Sequence, residues 1–294
     1  VENNLSQSST VNSQLNICIV GVGLISGSFA LALKQHGFAK HIIGVSRTKA
    51  SEQKALEFGL IDEALPLEEA IAKSDFIYVA IPVDATITVM QQIMNLVTDK
   101  QIVVDAGSTK FALCKALENH LNRKRFVATH PMWGTEYSGP EAAVANAFVG
   151  RACVITEKEK SDSQAAELVE KIYTTLGMHL VYMNAHEHDV HAAYVSHISH
   201  ITSFALANTV LEKEKEEDAI FELAAGGFES TVRLAKSNPK MWAPIFMQNR
   251  ENVLDVLNEH ISQLRKFKSA LEKENLAYLN ELMENANKIK RIIK

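Results

Sequence analysis

A chain of 294 residues is longer than a single hydrophobic core usually fills, so two domains are the natural expectation. Hydrophobic residues make up 47% and charged residues 22%, values typical of a globular protein, and a formal net charge of −5 argues against nucleic acid or an anionic membrane as main partner. No apolar run approaches the ~18 residues of a membrane span.

Residues 1–14 are polar and rich in Ser and Asn. They lack the basic and apolar regions of a secretory signal and read as a disordered tail. From residue 15 to about 183, short β-like runs at 15–20, 41–45, 75–81, 101–105, 126–129, 152–155 and 178–183 alternate with amphipathic stretches. Those stretches cover 24–36, 50–58, 84–97 and 162–176. Apolar strands separated by helices of this length predict right-handed βαβ units, hence an α/β domain over 15–184 with a mainly parallel sheet. The three cysteines, Cys18, Cys114 and Cys153, form no C-x-x-C pair and each lies in or beside an apolar run. They read as small core residues in a reducing compartment, with the cytoplasm as the expected location.

After residue 184 only helical periodicity is visible, which predicts an all-α domain over 185–294. Its expected helices are 186–211, a shorter pair within 216–236, one long helix from 239 to about 271, and 275–293. The mixed-charge run 212–218 reads as a solvated turn or helix face.

The richest segment follows the first strand: Gly21-Val-Gly23-Leu24-Ile25-Ser26-Gly27. Gly21 permits a tight turn, Gly23 lets backbone approach a pyrophosphate, and N–H groups at the helix start, at Leu24 and Ile25, suit phosphate oxygens. Ser26 stands at the third fingerprint position, where a small residue still allows close helix–strand packing. Strand before, helix after and a second strand at 41–45 favour a Rossmann-type dinucleotide site over a purely structural turn. At the end of that second strand, where an NAD enzyme usually carries an acidic residue, stand Ser46, Arg47, Thr48 and Lys49. This favours NADP, whose 2′-phosphate meets donors and no carboxylate, although an ordinary basic loop accepting NAD gives the same sequence.

Two further segments end strands: Asp105-Ala-Gly107-Ser108-Thr109-Lys110 and His130-Pro131-Met-Trp133-Gly134-Thr135-Glu136-Tyr-Ser-Gly139. A histidine directly after a strand, held by proline, suits a general base, and on that ground alone a packed histidine suits nearly as well. The helical half adds Ser196-His197-Ile-Ser199-His200, whose two histidines share a helix face, then Gly226-Gly-Phe228…Thr231-Val-Arg233-Leu-Ala235-Lys236-Ser-Asn-Pro239 and Met241-Trp242.

Taken together and in this order, the pieces resemble the prephenate/arogenate dehydrogenases of tyrosine biosynthesis, from Gly21 to Trp242. The departures are Ser26 for the usual Gly, Ser46 for a frequent Asp, and Ser199 where Pro usually separates the two histidines. The resemblance implies hydride transfer from C4 of prephenate to NAD(P), loss of carbon dioxide and release of 4-hydroxyphenylpyruvate, with arogenate as the alternative substrate. It implies His130 as the catalytic base, with Ser108 as its partner near substrate and cofactor. It also implies Arg233 on a substrate carboxylate, with Thr135, His197 and His200 in the pocket, Glu136 and Trp242 gating or supporting it, and a homodimer through the helical half. An unperturbed base of this kind titrates near ~6.5. A fused chorismate mutase or a regulatory module after the last helices is not expected.

Three rival readings follow from the same residues. The histidines at 186, 188, 191, 197 and 200 suggest a metal site, but no H-E-x-x-H or comparable pair is present, so no metal is expected. A hydroxy-acid dehydrogenase using Lys236 is a second possibility, disfavoured by the pairing of Ser108 with His130. A non-catalytic NADP-binding redox sensor is the third, and would have little use for His130, His197 and Arg233 together.

Overall fold

The computed structural model describes residues 14–214 and 226–292. The 1–14 tail falls almost wholly outside them, as does the end of the 212–218 run.

Strand β1 (Leu15–Val20) leads through a glycine turn into α1 (Leu24–Gln35), β2 (Ala39–Val45), α2 (Lys49–Glu57), β3 (Glu63–Ala64) and α3 (Leu67–Ala72). Then come β4 (Phe76–Val79), α4 (Val83–Leu96), β5 (Ile102–Asp105), α5 (Phe111–Leu117), β6 (Phe126–Pro131), β7 (Ala152–Thr156), α6 (Ser163–Thr175) and β8 (His179–Met183). The eight strands form one sheet in the order β3-β2-β1-β4-β5-β6-β7-β8, parallel except for the β6–β7 pair.

Strand geometry sends alternate side chains to opposite faces, and the core obeys it. Ile17, Ile19, Phe76, Tyr78, Val104 and Val127 pack with α1 and α6, through Phe29, Leu33, Val169 and Ile172. Their neighbours Cys18, Val20, Ile77, Val79, Val103 and Ala128 pack on the other face with α3, α4 and α5. Burial on both faces explains the near-continuous apolar runs. All three cysteines are buried and unpaired.

The α/β half differs from the sequence pattern at α3 and α5, short helices that fall between the expected stretches, and at two strands. Strand β3, at two residues, is too short to leave a periodic signal. Strand β6 continues past Thr129, because antiparallel pairing with β7 sets His130 opposite Val154 and Pro131 opposite Cys153. His130 is therefore a strand residue, held by the ladder rather than by a loop.

The helical half comprises α7 (Ala185–Ala192), a π turn (Ala193–His197), α8 (Ile198–Glu214), α9 (Gly226–Val232), a 3-10 turn (Arg233–Lys236), α10 (Pro239–Gln248), α11 (Arg250–Glu272) and α12 (Leu276–Asn287). The helix expected over 186–211 thus contains a π turn, and the one expected from 239 to 271 breaks at Asn249. The hydrophobic pattern alone marks neither event. Of the pair expected within 216–236, residues 215–225 lie outside the described region.

Candidate active site

The parallel strands align their carboxyl ends on one edge, the usual ligand side of such sheets. There Gly21 adopts φ +90°, and a Cβ on it would lie 2.4 Å from the Ala80 carbonyl oxygen. Only glycine fits. A Cβ on Gly23 would meet nothing within 4 Å, so open space lies over the turn. The N–H of Gly23 donates to Ser26 Oγ at 2.9 Å, while the Ser26 hydroxyl donates to the Gly21 carbonyl. Ser26 therefore ties the turn together. The close-packing duty expected of it falls on Gly27, where a Cβ would come within 2.9 Å of both Ala143 Cβ and Leu60 Cδ1. Gly23 spends its N–H inside the turn, which leaves those of Leu24 and Ile25, at the start of α1, without partners among the described residues. Two free donors at a helix N-terminus, beside open space, fit a pyrophosphate. At the end of β2, Ser46 is half-buried, Arg47 is exposed, and Thr48 caps α2 by accepting the Ser51 N–H.

At the carboxyl ends of β5 and β6 sit Ser108, half-buried, and His130, which is 9% exposed. Beneath them the Lys110 ammonium, fully buried, pairs with Asp105 and donates to the Thr129 carbonyl at 2.7 Å. His130 Nδ1 lies 2.8 Å from His188 Nε2, and His188 Nδ1 lies 2.8 Å from Asp189 Oδ1. Asp189 also accepts the backbone N–H groups of Lys110 and Phe111, at 2.7 and 3.0 Å, which pins α7 to the start of α5. Burial, and then the repulsion a cation there would meet from Lys110 and from any protonated His188 or His197, hold His130 well below the ordinary histidine range. His188 is lowered by burial in spite of Asp189.

The π turn adds a residue to the helical path ahead of α8, and His197 on it is buried. Burial brings its pKa down to about 4. Its Nδ1 lies 3.2 Å from the Asn249 side-chain amide, which also donates to the Asp189 carbonyl at 2.7 Å. His200 stacks on Trp242 with ring centroids 3.4 Å apart, and His197 meets the same indole edge-on at 6.0 Å. The buried Trp242 Nε1–H has no partner among the described residues. Arg233 pairs with Glu136 at 3.4 Å, with its side chain 52% exposed, and Thr135 accepts the Tyr137 N–H at 3.2 Å.

The structure thus brings together His130, His197, His200 and Trp242 through one buried polar and aromatic network, and pairs Arg233 with Glu136 separately. Sequence reasoning missed His188, Asp189 and Asn249, and left Lys110 and Asp105 without a role. A lysine five residues after an acid, in an otherwise apolar setting, was the available signal for the last two. His188 and Asp189 look like a solvated helix start, and they are buried only because α5, the β6–β7 strands and Asn249 pack against α7. Among the described residues no group of three or more potential ligands is arranged to hold a metal ion.

A mostly parallel doubly wound sheet, a glycine turn with free donors, and buried neutral histidines at the same edge define a dinucleotide-dependent dehydrogenase with a helical second half. The family model for the prephenate dehydrogenase nucleotide-binding domain matches residues 29–182, and that for the prephenate dehydrogenase dimerization domain matches 184–285. A prephenate dehydrogenase of Bacillus subtilis is 30% identical over 273 residues, covering 92% of this chain and 74% of the relative. A cyclohexadienyl dehydrogenase of Zymomonas mobilis is 27% identical, covering 95% and 96%. The crystal structure of prephenate dehydrogenase from Aquifex aeolicus, in complex with hydroxyphenyl propionate and NAD+, superposes with a TM-score of 0.87 at 34% identity, covering 96% and 99%. Synechocystis arogenate dehydrogenase gives 0.76 at 25%, covering 95% and 100%. The chain belongs to the prephenate dehydrogenase family, a family of NAD(P)-dependent oxidoreductases. No described helix is long and apolar enough to cross a membrane.

Proposed function

We propose that this enzyme oxidatively decarboxylates prephenate. The C4–H leaves as hydride, the C4 hydroxyl passes its proton to the base, the ring carboxylate departs as carbon dioxide with its bonding pair completing the aromatic ring, and a proton returns to the C4 oxygen to give 4-hydroxyphenylpyruvate. The observation that carries the reading is His130: buried, neutral, anchored through Nδ1, with no partner for Nε2 among the described residues. Such an imidazole has one free lone pair, which suits the acceptor of a hydroxyl proton. Ser108, with no described partner for its hydroxyl, stands at the same edge to hold that oxygen.

The nicotinamide dinucleotide, when bound, supplies the hydride acceptor. Gly21 closes the turn, Gly23 leaves room for its pyrophosphate, Leu24 and Ile25 offer N–H donors, and Ser46 and Arg47 stand where the adenosine ribose ends. With no carboxylate there, Arg47 is free to pair with a 2′-phosphate, and NADP is the proposed preference.

Arg233 is assigned to a substrate carboxylate. Its exposed pairing with Glu136 is worth little in water, so exchanging Glu136 for a substrate carboxylate costs little. Thr135, His197 and His200 supply further polar groups, and Trp242 a flat wall. The working unit is proposed to be a homodimer: Leu254, Ile261, Leu264 and Leu271 on α11, all exposed, repeat at spacings that put them on one helix face.

The test crosses prephenate and arogenate with NAD and NADP, for the wild type and Arg47→Ala, following reduced nicotinamide. Prephenate with NADP should give the highest kcat/KM. Loss of one charged hydrogen bond should lower kcat/KM for NADP by about ten- to a hundredfold and leave NAD nearly unchanged. Equal losses on both cofactors would remove Arg47 from the 2′-phosphate. Turnover of arogenate alone would reassign the substrate, and turnover of neither acid would overturn the reaction.

A further inference from the structure

Asp189 sits at the centre of a branched chain of hydrogen bonds that reaches both buried histidines, one branch through its carboxylate and one through its backbone carbonyl. The donor at each junction can be assigned from atoms whose roles are fixed. Backbone N–H groups only donate, so with Lys110 N at 2.7 Å and Phe111 N at 3.0 Å both carboxylate oxygens of Asp189 are acceptors. His188 Nδ1, 2.8 Å from Oδ1, therefore carries a hydrogen and donates it. In the neutral ring His188 Nε2 is then a bare lone pair, and the 2.8 Å contact to His130 Nδ1 requires the hydrogen to be on His130. His130 Nε2 is left unprotonated.

The second branch runs the opposite way. A backbone carbonyl only accepts, so the Asn249 atom 2.7 Å from the Asp189 oxygen is the amide nitrogen, which fixes the amide orientation. Asn249 Oδ1 agrees, accepting from Asn252 Nδ2 at 2.7 Å. The other hydrogen of that nitrogen points to His197 Nδ1 at 3.2 Å, so His197 Nδ1 accepts and its neutral ring carries the hydrogen on Nε2. One hub thus leaves one histidine with a lone pair and the other with an N–H.

We propose that His188, Asp189 and Asn249 are positioning residues that lock the two site histidines in opposite tautomers, His130 as a proton acceptor at Nε2 and His197 as a hydrogen-bond donor at Nε2. The division matches what a hydroxy-carboxylate substrate requires, a base for the hydroxyl and donors for the anionic groups. It also accounts for two features without another purpose: a fully formed polar network in a buried place where each unmet group would be costly, and the break at Asn249 between α10 and α11. The proposal rests on the reading of His130 as the base, and the following experiment separates the failure of one from the failure of the other.

Imidazole ¹⁵N spectra of histidine-labelled enzyme near neutral pH, assigned with His130→Asn and His197→Asn, should show His130 with protonated Nδ1 and bare Nε2, and His197 with the reverse. This needs no turnover and no variant of the hub. Two substitutions then test the consequence. His188→Phe removes the acceptor and lets His130 drift to the other tautomer. It should lower kcat by about tenfold or more, with about 10⁴-fold the scale of a fully wrong tautomer, while KM for substrate and cofactor changes little. His188→Gln, whose amide oxygen reaches the Nε2 position, should recover most of that loss. A His130 carrying hydrogen on Nε2, a His197 lacking it, or a Gln variant as impaired as the Phe variant would each overturn the proposal. Normal kcat in His130→Asn would instead remove the base, whatever the tautomers.

Discussion

As the proposed base, His130 would owe its chemistry to burial more than to sequence position. A histidine near ~6.5 would be partly charged close to neutrality, and a charged imidazole cannot take a hydroxyl proton. Burial disfavours the cation, and His188, Lys110 and His197 disfavour it further, so the neutral base persists to a pH well below that value. The active form is the deprotonated one, its pKa is lowered, and activity should hold as pH falls through ~6.5 and fail only at a more acidic pH. In kcat/KM, which reports the free enzyme, the acidic limb should therefore lie clearly below ~6.5, and His130→Asn should abolish that limb while lowering kcat about 10²–10⁴-fold. A limb centred at the ordinary histidine value, or one that survives the substitution, would show that another group titrates. The sequence singled out His130, His197, His200 and Arg233 as individual candidates. The groups behind them were hidden, because His188 and Asp189 occupy a helix start whose polar string reads as solvent-facing until α5 and β6 cover it.

The turn between β1 and α1 is the clearest case of an element whose shape fits the proposed cofactor. Its glycine pattern was legible because each glycine answers a local demand, φ +90° and a close carbonyl at Gly21 and open space at Gly23. What Ser26 does was not legible. By size alone it passes for a packing residue, yet its hydroxyl bridges Gly21 and Gly23 and closes the turn. Ser26→Ala keeps the volume and removes both hydrogen bonds, so it should cost about 1 kcal/mol of stability. It should also raise the cofactor KM severalfold with kcat near that of the wild type. An unchanged cofactor KM would mean that the turn is held by backbone alone. The π turn at Ala193–His197 and the break at Asn249 make the same point for helices. Each carries a hydrogen bond to a residue far away in sequence, His197 to Asn249 and Asn249 to Asp189, and neither partner is marked in the apolar pattern by which helices are read.

For the whole molecule, the helical half leaves more apolar surface in solvent than a lone subunit needs. On α11 alone Leu254, Ile261, Leu264 and Leu271 are exposed on one face, and Leu276 and Met283 follow on α12. Covering that stripe with a second copy is the proposed assembly, and light scattering at micromolar concentration should give a dimer. Leu264→Asp should shift it towards monomer and lower activity in proportion, since the helical half carries His197, His200, Arg233 and Trp242. A fully active monomer would refute the assembly.

By itself the sequence determined most strands and helices of the α/β half, the glycine turn, the change from α/β to all-α along the chain, and the family. All of these rest on local propensity and on spacing along the chain. Only the tertiary structure decided that β6 turns antiparallel to β7 and carries His130 on its ladder, that Lys110 and Asp105 neutralise one another in the core, and that Asp189 joins α5, α7 and α11. Those are pairings between residues far apart in the chain, many of them polar and buried. Such partners carry no periodic signature, and become visible only when the fold removes water from both.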